Sequence, residues 1–248
     1  MRVNAAEALG WLDSAEAVPP LAEALKSDRR ERVREAAALA LGRLARNEGA
    51  APLAQALGGD ESYIARVAAA YALGQIPGAP EGAQALAASL TGDARTEVRV
   101  QAAHALGAIK AESAAQALIA ALKKDAEPEV RVAVARALAG YGGEPVTRAL
   151  AESVTADADR AARLEAARSL GLRGDRGAAP ELVRSVQSDA AMEVRQEAAV
   201  ALGLLGGDLA RDALAYYADH AESAELRRSA KDALEAMKPE PPPASKKE

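Results

Sequence analysis

A unit of about 32 residues recurs along this chain of 248 residues, and the recurrence constrains the fold more than any other feature. The tripeptide Ala-Leu-Gly, or a variant differing at one residue, marks every copy. Its leucine recurs at intervals of 32 residues, with a single interval of 33. These anchor leucines are Leu9, Leu41, Leu73, Leu106, Leu138, Leu170, Leu202 and Leu234. We number the positions of each repeat from its anchor.

Two charged positions recur in register with the anchor. An arginine stands at position −7 of every repeat, and an aspartate stands at position −13 of six consecutive repeats. A binding site needs its residues only once, so we expect both columns to be structural. In this interpretation the aspartate accepts hydrogen bonds from turn amides and from the arginine of its own or an adjacent repeat. An anion-binding ladder is the functional alternative. The columns comprise Arg34, Arg66, Arg99, Arg131, Arg163 and Arg195, and Asp28, Asp60, Asp93, Asp125, Asp157 and Asp189.

The apolar residues of each repeat have helical spacing. Leu21 and Leu25 mark a first helix, and Val33, Ala37 and Leu41 lie on one face of a second helix. Half of the residues are hydrophobic, yet the chain has no Phe and one Trp, and alanine is abundant. Alanine is the best helix former and is unfavourable in strands. The sequence therefore predicts an all-α fold, an α-solenoid of about eight helical hairpins of which the first is incomplete.

Glycine follows most anchor leucines, although it is unfavourable inside a helix. The residue at position +3 is apolar in seven repeats, so we expect the second helix to continue past the glycine. The recurrence of this glycine then predicts close approach of a neighbouring helix.

These patterns resemble the HEAT-repeat family, in particular its short PBS-lyase HEAT-like type. One repeat reads Asp28-x4-Val33-Arg34-x2-Ala37-Ala38-x-Ala40-Leu41-Gly42. The resemblance covers residues 1–237 and implies a right-handed superhelix whose second helices line the concave side. The opening helix has no partner helix before it, so we expect a further repeat, segment or subunit to cover its face. Residues 238–248 are rich in proline and charge, and we predict a disordered tail.

The chain lacks the residues that most kinds of catalysis and metal binding require. Cysteine is absent, and His104 and His220 stand in separate repeats without metal-ligand spacing. The hydroxylase branch of the family is recognised by His-Glu pairs, and no His-Glu dipeptide occurs. We assign no catalytic, cofactor-binding or metal-binding residue and expect no cofactor. An enzyme remains a less favoured possibility. The net charge of −5 argues against nucleic acid as a partner.

Sequence features also bear on location. No run of apolar residues is long enough to span a bilayer, and the first residues do not read as a signal peptide. The compartment is therefore unknown, with the cytoplasm as the default.

The side of the second helix opposite its core stripe varies from repeat to repeat. Several apolar residues occur there, which is unusual for a solvated surface, so we expect this face to bind a partner. A freely variable solvated surface is the alternative. The candidates are Leu39, Tyr71, His104, Arg136 and Arg168 at position −2, and Val67, Val100, Gln101, Val132 and Leu164 at positions −6 and −5.

The sequence thus predicts a non-catalytic protein-binding scaffold or adaptor that uses this concave surface. Arg136, Arg168 and His104 favour an acidic partner segment. Because the resemblance includes bilin lyases, the alternative is a bilin-lyase-like protein that acts on a tetrapyrrole carried by a partner.

Overall fold

The computed structural model describes residues 1–237, which form fifteen α-helices and no β-strand. These helices confirm the all-α prediction. The chain divides into two compact units, Met1–Val146 and a second unit that begins at Thr147, and helix α10 (Glu144–Ala156) spans the division. The tail predicted at residues 238–248 lies outside the described residues. A single domain over residues 1–237 stays a prediction.

The first unit is built of hairpins in which we call the first helix A and the second B. A lone B helix, α1, precedes them. The helices are α1 (Arg2–Trp11), α2 (Val18–Ser27), α3 (Glu31–Leu44), α4 (Ala50–Gly59), α5 (Tyr63–Leu73), α6 (Pro80–Gly92), α7 (Thr96–Ile109), α8 (Ala115–Lys124) and α9 (Pro128–Leu138). Each A helix of this unit packs on the B helix that follows it, and the B helices α1, α3, α5, α7 and α9 pack in sequence.

The second unit repeats this arrangement after α10. Its further helices are α11 (Arg160–Arg173), α12 (Ala179–Ser188), α13 (Met192–Leu205), α14 (Asp208–His220) and α15 (Ala224–Ala236). The B helices α11, α13 and α15 pack in sequence, and the A helix α12 packs on α14. No helix between residues 1 and 237 is both long and apolar enough to cross a membrane.

Leucine and alanine fill most of the core between the A helices and the B helices. Leu21 and Leu25 of α2 and the anchor Leu41 of α3 are almost completely buried. Burying a leucine side chain contributes roughly 1.5–3 kcal/mol. The repeat is short, so only contact with its neighbours removes these side chains from water.

The anchor glycines lie where neighbouring B helices touch. A methyl carbon added to Gly42 would lie 2.7 Å from both the Cα and the Cβ of Ala72 on α5. Five further glycines, each facing the alanine at position −1 of the next repeat, leave 3.0 Å or less for such a carbon. They are Gly10, Gly74, Gly107, Gly171 and Gly203. The predicted close approach is therefore confirmed, and no larger residue fits there without moving a helix.

Two B helices end earlier than the sequence predicts. Whereas α3, α7, α11 and α13 continue three residues past the anchor, α5 ends at Leu73 and α9 at Leu138. The amides of Ile76 and Tyr141 donate instead to the carbonyls three residues earlier, at 3.1 and 3.0 Å, which is the tighter 3₁₀ pattern. Pro77 disfavours a helical conformation at Ile76, which accounts for the first case. Ile76 and Tyr141 remain buried, so position +3 keeps its core role.

Candidate functional site

The repeated arginines and aspartates join neighbouring repeats. Arg34 on α3 donates from Nε and Nη2 to the two carboxylate oxygens of Asp60 in the next repeat, at 2.7 and 2.8 Å. Its Nη1 donates to the backbone carbonyl of Asp28, which ends the A helix of its own repeat, at 2.9 Å. One side chain thus ties both helices of its repeat to the following one. The same bidentate pairs are Arg66–Asp93, Arg99–Asp125 and Arg163–Asp189.

Each aspartate of the column also closes the turn between the A and B helices. The Oδ1 atom of Asp60 accepts a hydrogen bond from the amide of Ser62 at 2.9 Å. Equivalent bonds to the amide two residues ahead occur in the other five repeats of the column, at Asp28, Asp93, Asp125, Asp157 and Asp189. The carboxylate therefore serves the turn and the arginine at once, which supports the structural assignment of both columns.

Electrostatics follow from this geometry. Burial alone raises the pKa of the Asp93 carboxyl, but hydrogen bonds from Arg66 and from the amide of Arg95, with the charges of Arg66 and Arg99, lower it below its usual value overall. The pKa of Asp189 is lowered in the same way, with Arg163 as the pairing guanidinium.

Departures from the column occur at both ends of the array. Arg2 makes a single contact with Asp28, 3.1 Å from Nε to Oδ2, and most of its side chain is exposed. Arg195 donates from Nε to the carbonyl of Val186 at 2.8 Å, because Ala221 occupies the aspartate position of the last repeat. Arg131, in the middle of the array, keeps the bond that Arg34 makes within its own repeat, since its Nη1 donates to the carbonyl of Asp125 at 2.9 Å.

The candidate binding residues lie on the outward side of the B helices, which we call the B-helix face. Tyr71, His104, Arg136 and Arg168 at position −2 are exposed. The remaining candidates, Leu39, Val67, Val100, Gln101, Val132 and Leu164, are half-buried. Leu164 and Arg168 belong to the second unit, and all the others belong to the first.

Four of these candidates line one groove of about 380 Å³ in the first unit, which we call the B groove. Its lining consists of Glu35, Leu39, Tyr63, Ile64, Val67, Ala68, Tyr71, Glu97 and Gln101. A second depression of about 490 Å³ lies beside it and shares Leu39 and Tyr71. Val100, His104, Val132 and Arg136 do not line either depression.

Aromatic side chains that the sequence analysis did not select border this region. Tyr63 lines the B groove, and the guanidinium of Arg95 lies 4.2 Å from its ring centroid. Trp11 is 73% exposed and stacks at 4.3 Å under Arg43, a residue of the second depression. Both aromatic residues could have been found from the sequence, since the chain has only one Trp and five Tyr.

The charges at position −2 are less available than the sequence suggests. Arg168 forms two hydrogen bonds of 3.1 Å with the carboxylate of Glu197, and Glu165 lies 3.6 Å from its Nη1 atom. Burial lowers the pKa of the His104 imidazole, and the positive charge of Arg136 lowers it further. Because this pKa lies below the ordinary value of about 6.5, the His104 imidazole is mostly neutral at pH 7. These contacts reduce the positive charge that Arg168 and His104 offer to a partner, and the acidic segment stays an untested prediction.

Two other grooves lie between A helices of the first unit. One of about 350 Å³ runs between α2 and α4 and includes Pro19, Glu23 and Pro52, and one of about 560 Å³ runs between α4 and α6. Neither is lined by an aromatic residue, and Gly58 and Gly59, which leave the space open, line the second. Within residues 1–237, no group of three or more His, Cys, Asp or Glu side chains could hold a metal ion.

The sequence profile of HEAT repeats matches four overlapping segments of the chain: residues 1–74, 28–99, 83–161 and 147–235. The chain belongs to the HEAT-repeat family. The repeat register, the paired helices and the glycine contacts described above are those of its HEAT repeats. None of the curated proteins matches the chain in sequence.

Several solved structures are similar to these HEAT repeats. YibA of Escherichia coli is 21% identical, with 90% of this chain and 83% of YibA covered and a TM-score of 0.59. Human deoxyhypusine hydroxylase in complex with glycerol is 23% identical, covering 94% and 88%, with a TM-score of 0.46. The complex of CpcE and CpcF of phycocyanin lyase from Nostoc is 25% identical, covering 95% and 88%, with a TM-score of 0.48. At this identity the likeness to YibA concerns the fold.

Proposed function

We propose that this HEAT-repeat protein is a non-catalytic scaffold that binds a segment of another protein in the B groove. The observation that carries the proposal is the placement of its scarce aromatic residues. Trp11, Tyr63 and Tyr71 are 73%, 36% and 48% exposed. Tyr63 and Tyr71 line the B groove, and Trp11 contacts Arg43, which lines the depression beside it. Tyrosine, tryptophan and arginine are the residue types that most often dominate binding energy at interfaces.

The surroundings of the groove suit recognition of an extended or helical segment. Leu39, Ile64 and Val67 supply apolar area next to Tyr71, while the amide of Gln101 offers hydrogen bonds. These side chains stand on α3, α5 and α7, whose spacing is held by the glycine contacts and the arginine–aspartate pairs. Because the backbone of the groove is already ordered in helices, binding requires little ordering of the chain beyond its side chains.

The tetrapyrrole alternative has no residue on this face assigned to it, and it stays an untested alternative. Recording the absorbance spectrum of a linear tetrapyrrole with the purified protein tests it. A bound, shifted spectrum would support that alternative against a pure scaffold.

Selection from a displayed library of random peptides tests the proposed function. We expect the full chain to enrich peptides with a large apolar residue, because the B groove is mainly apolar. Tyr71→Asp should weaken binding of these peptides by at least about tenfold, since it places a charge among apolar side chains. Fluorescence anisotropy with labelled peptides measures the affinities.

Tyr216→Asp is the matched control. Tyr216 is a tyrosine of comparable exposure, 58%, but it lies on the A helix α14. We expect it to leave peptide affinity unchanged. Equal losses in both variants, or a library that yields no peptide sensitive to Tyr71→Asp, would contradict binding in the B groove.

A further inference from the structure

The B groove contains one acidic side chain that no residue between 1 and 237 neutralises. Glu35 on α3 is half-buried in the lining, and its carboxylate makes no hydrogen bond or ion pair with these residues. The other carboxylate of the lining, Glu97, accepts hydrogen bonds of 2.8 and 3.3 Å from Arg95. Glu35 is therefore the carboxylate of the groove lining that has no partner within residues 1–237.

The position of Glu35 makes this charge unusual within the first unit. It occupies position −6, where the next three repeats carry Val67, Val100 and Val132. Neither carboxylate oxygen of Glu35 is among the buried polar atoms that lack a hydrogen-bond partner, so both stay accessible from the groove. A segment bound in the groove would exclude water from this carboxylate, which costs free energy unless the segment brings a cation to pair with it.

In the second unit, a guanidinium occupies the B-helix face at an equivalent repeat position. There Arg168 at position −2 of one B helix binds Glu197 at position −5 of the next with two bonds of 3.1 Å. The equivalent residues at the junction of α1 and α3 are Glu7 and Ala36, so the register places a second carboxylate, and no arginine, beside Glu35. Arg32, one turn earlier on α3, is exposed and makes no ion pair with Glu35 among the described residues.

We propose that the B groove binds a peptide segment in which a large apolar side chain lies within a few residues of a lysine or arginine. The apolar side chain contacts Leu39, Val67 and Tyr71, and the cation pairs with Glu35. This inference rests on the proposed function and assigns the chemistry of the partner. It places a basic residue at the groove, in contrast to the acidic segment that the sequence predicts.

The probe is the same random peptide library, used on the full chain and on two variants of Glu35. Peptides selected by the unmodified chain should be enriched in Lys or Arg near the apolar residue. Glu35→Gln should weaken these peptides by about tenfold, which is the effect of losing one well-placed ion pair. Glu35→Lys should select peptides with Asp or Glu at that place. The thermal midpoint of both variants should match the unmodified chain, because Glu35 has no partner to lose.

Glu23→Gln is the matched control, since Glu23 lines the groove between the A helices α2 and α4. It should leave peptide affinity unchanged. Peptides that need Tyr71 but carry no basic residue, or that bind Glu35→Gln as tightly, would overturn this inference and leave the proposed function standing. A library that yields no peptide sensitive to Tyr71→Asp would overturn both.

Discussion

At the scale of single residues, the arginine column shows what a sequence can and cannot reveal. Its recurrence predicted a structural role, but a sequence does not tell whether Arg34 pairs with the aspartate of its own repeat or of the next. In the structure, Arg34 donates both to the carboxylate of Asp60 in the next repeat and to the backbone carbonyl of Asp28 in its own repeat. Which aspartate pairs with Arg34 depends on the distance between adjacent repeats after packing, which the sequence does not give.

Removing Arg99 should destabilise the protein strongly. Its guanidinium binds the carboxylate of Asp125 at 2.7 and 2.9 Å, and both side chains are largely buried. Arg99→Ala should lower the free energy of unfolding by about 3–5 kcal/mol, because it leaves a buried carboxylate without its partner. Arg99→Lys should cost less but not be neutral, because lysine lacks the planar fork that binds both oxygens. Urea unfolding measures both, and a loss below about 0.5 kcal/mol, as we expect for the exposed Arg32→Ala, would refute the structural role.

Acid should weaken the Asp93 pair. The pKa of Asp93 is lower in the folded chain than its ordinary value, so its stabilisation is complete above the unfolded pKa of about 3.9. This stabilisation is lost as the pH falls through the folded pKa. Asp93→Asn should therefore be less stable than the unmodified chain at pH 7, and the difference should shrink below about pH 4. Urea unfolding from pH 7 to strongly acidic buffer measures it, and a gap independent of pH would contradict the assignment.

At the scale of helices, the contact between B helices depends on glycine. The sequence predicted this contact, and it also predicted B helices that continue past the anchor. The early ends of α5 and α9 were not predicted, because the pattern of apolar residues persists through the 3₁₀ turns at Ile76 and Tyr141. The B groove was found in part from position −2, whereas Tyr63 and Trp11 lie at helix ends that the pattern does not reach.

Two glycine substitutions should act in opposite directions. Gly42→Ala should destabilise the protein by about 1–3 kcal/mol, because the added methyl group would lie 2.7 Å from the backbone of α5. Gly58→Ala on α4 meets nothing within 4 Å, so it should stabilise by up to about 1 kcal/mol through helix propensity. Thermal and urea unfolding of the two variants measure this difference. If Gly42→Ala increased the stability, the helices α3 and α5 would have to be able to move apart without a loss of free energy.

At the scale of the whole molecule, each HEAT repeat contacts mainly its neighbours. The effects of two substitutions on stability should therefore be coupled only where the two residues share a binding partner. Arg34 and Arg66 share Asp60, whose carboxylate binds the first and whose carbonyl accepts from the second at 2.8 Å. Arg34 and Arg99 share no partner.

The fold class and the repeat number were predictable from periodicity, whereas the division at Thr147 had no counterpart in the sequence prediction.

Double substitutions test this coupling. The losses of stability from Arg34→Ala and Arg99→Ala should add to within about 0.5 kcal/mol. The pair Arg34→Ala and Arg66→Ala should deviate from additivity by more than that, because both act on Asp60. Urea unfolding of the single and double variants gives the coupling energies. Equal deviations in both pairs would indicate coupling beyond nearest neighbours.

The arginine–aspartate pairs have a consequence for how such a chain can change its length. The repeats anchored at Leu73 and Leu106 each supply an arginine to the following repeat and an aspartate to the preceding one. If recombination removed residues 60–92, Asp93 would take the place of Asp60 opposite Arg34, and Ala105 would take the place of Ala72 opposite Gly42. Loss or duplication of such a repeat therefore preserves both the arginine–aspartate pair and the glycine contact at the new junction. Such a gene could therefore gain or lose repeats while keeping the contacts between them, and the residues of the B-helix face could diverge independently.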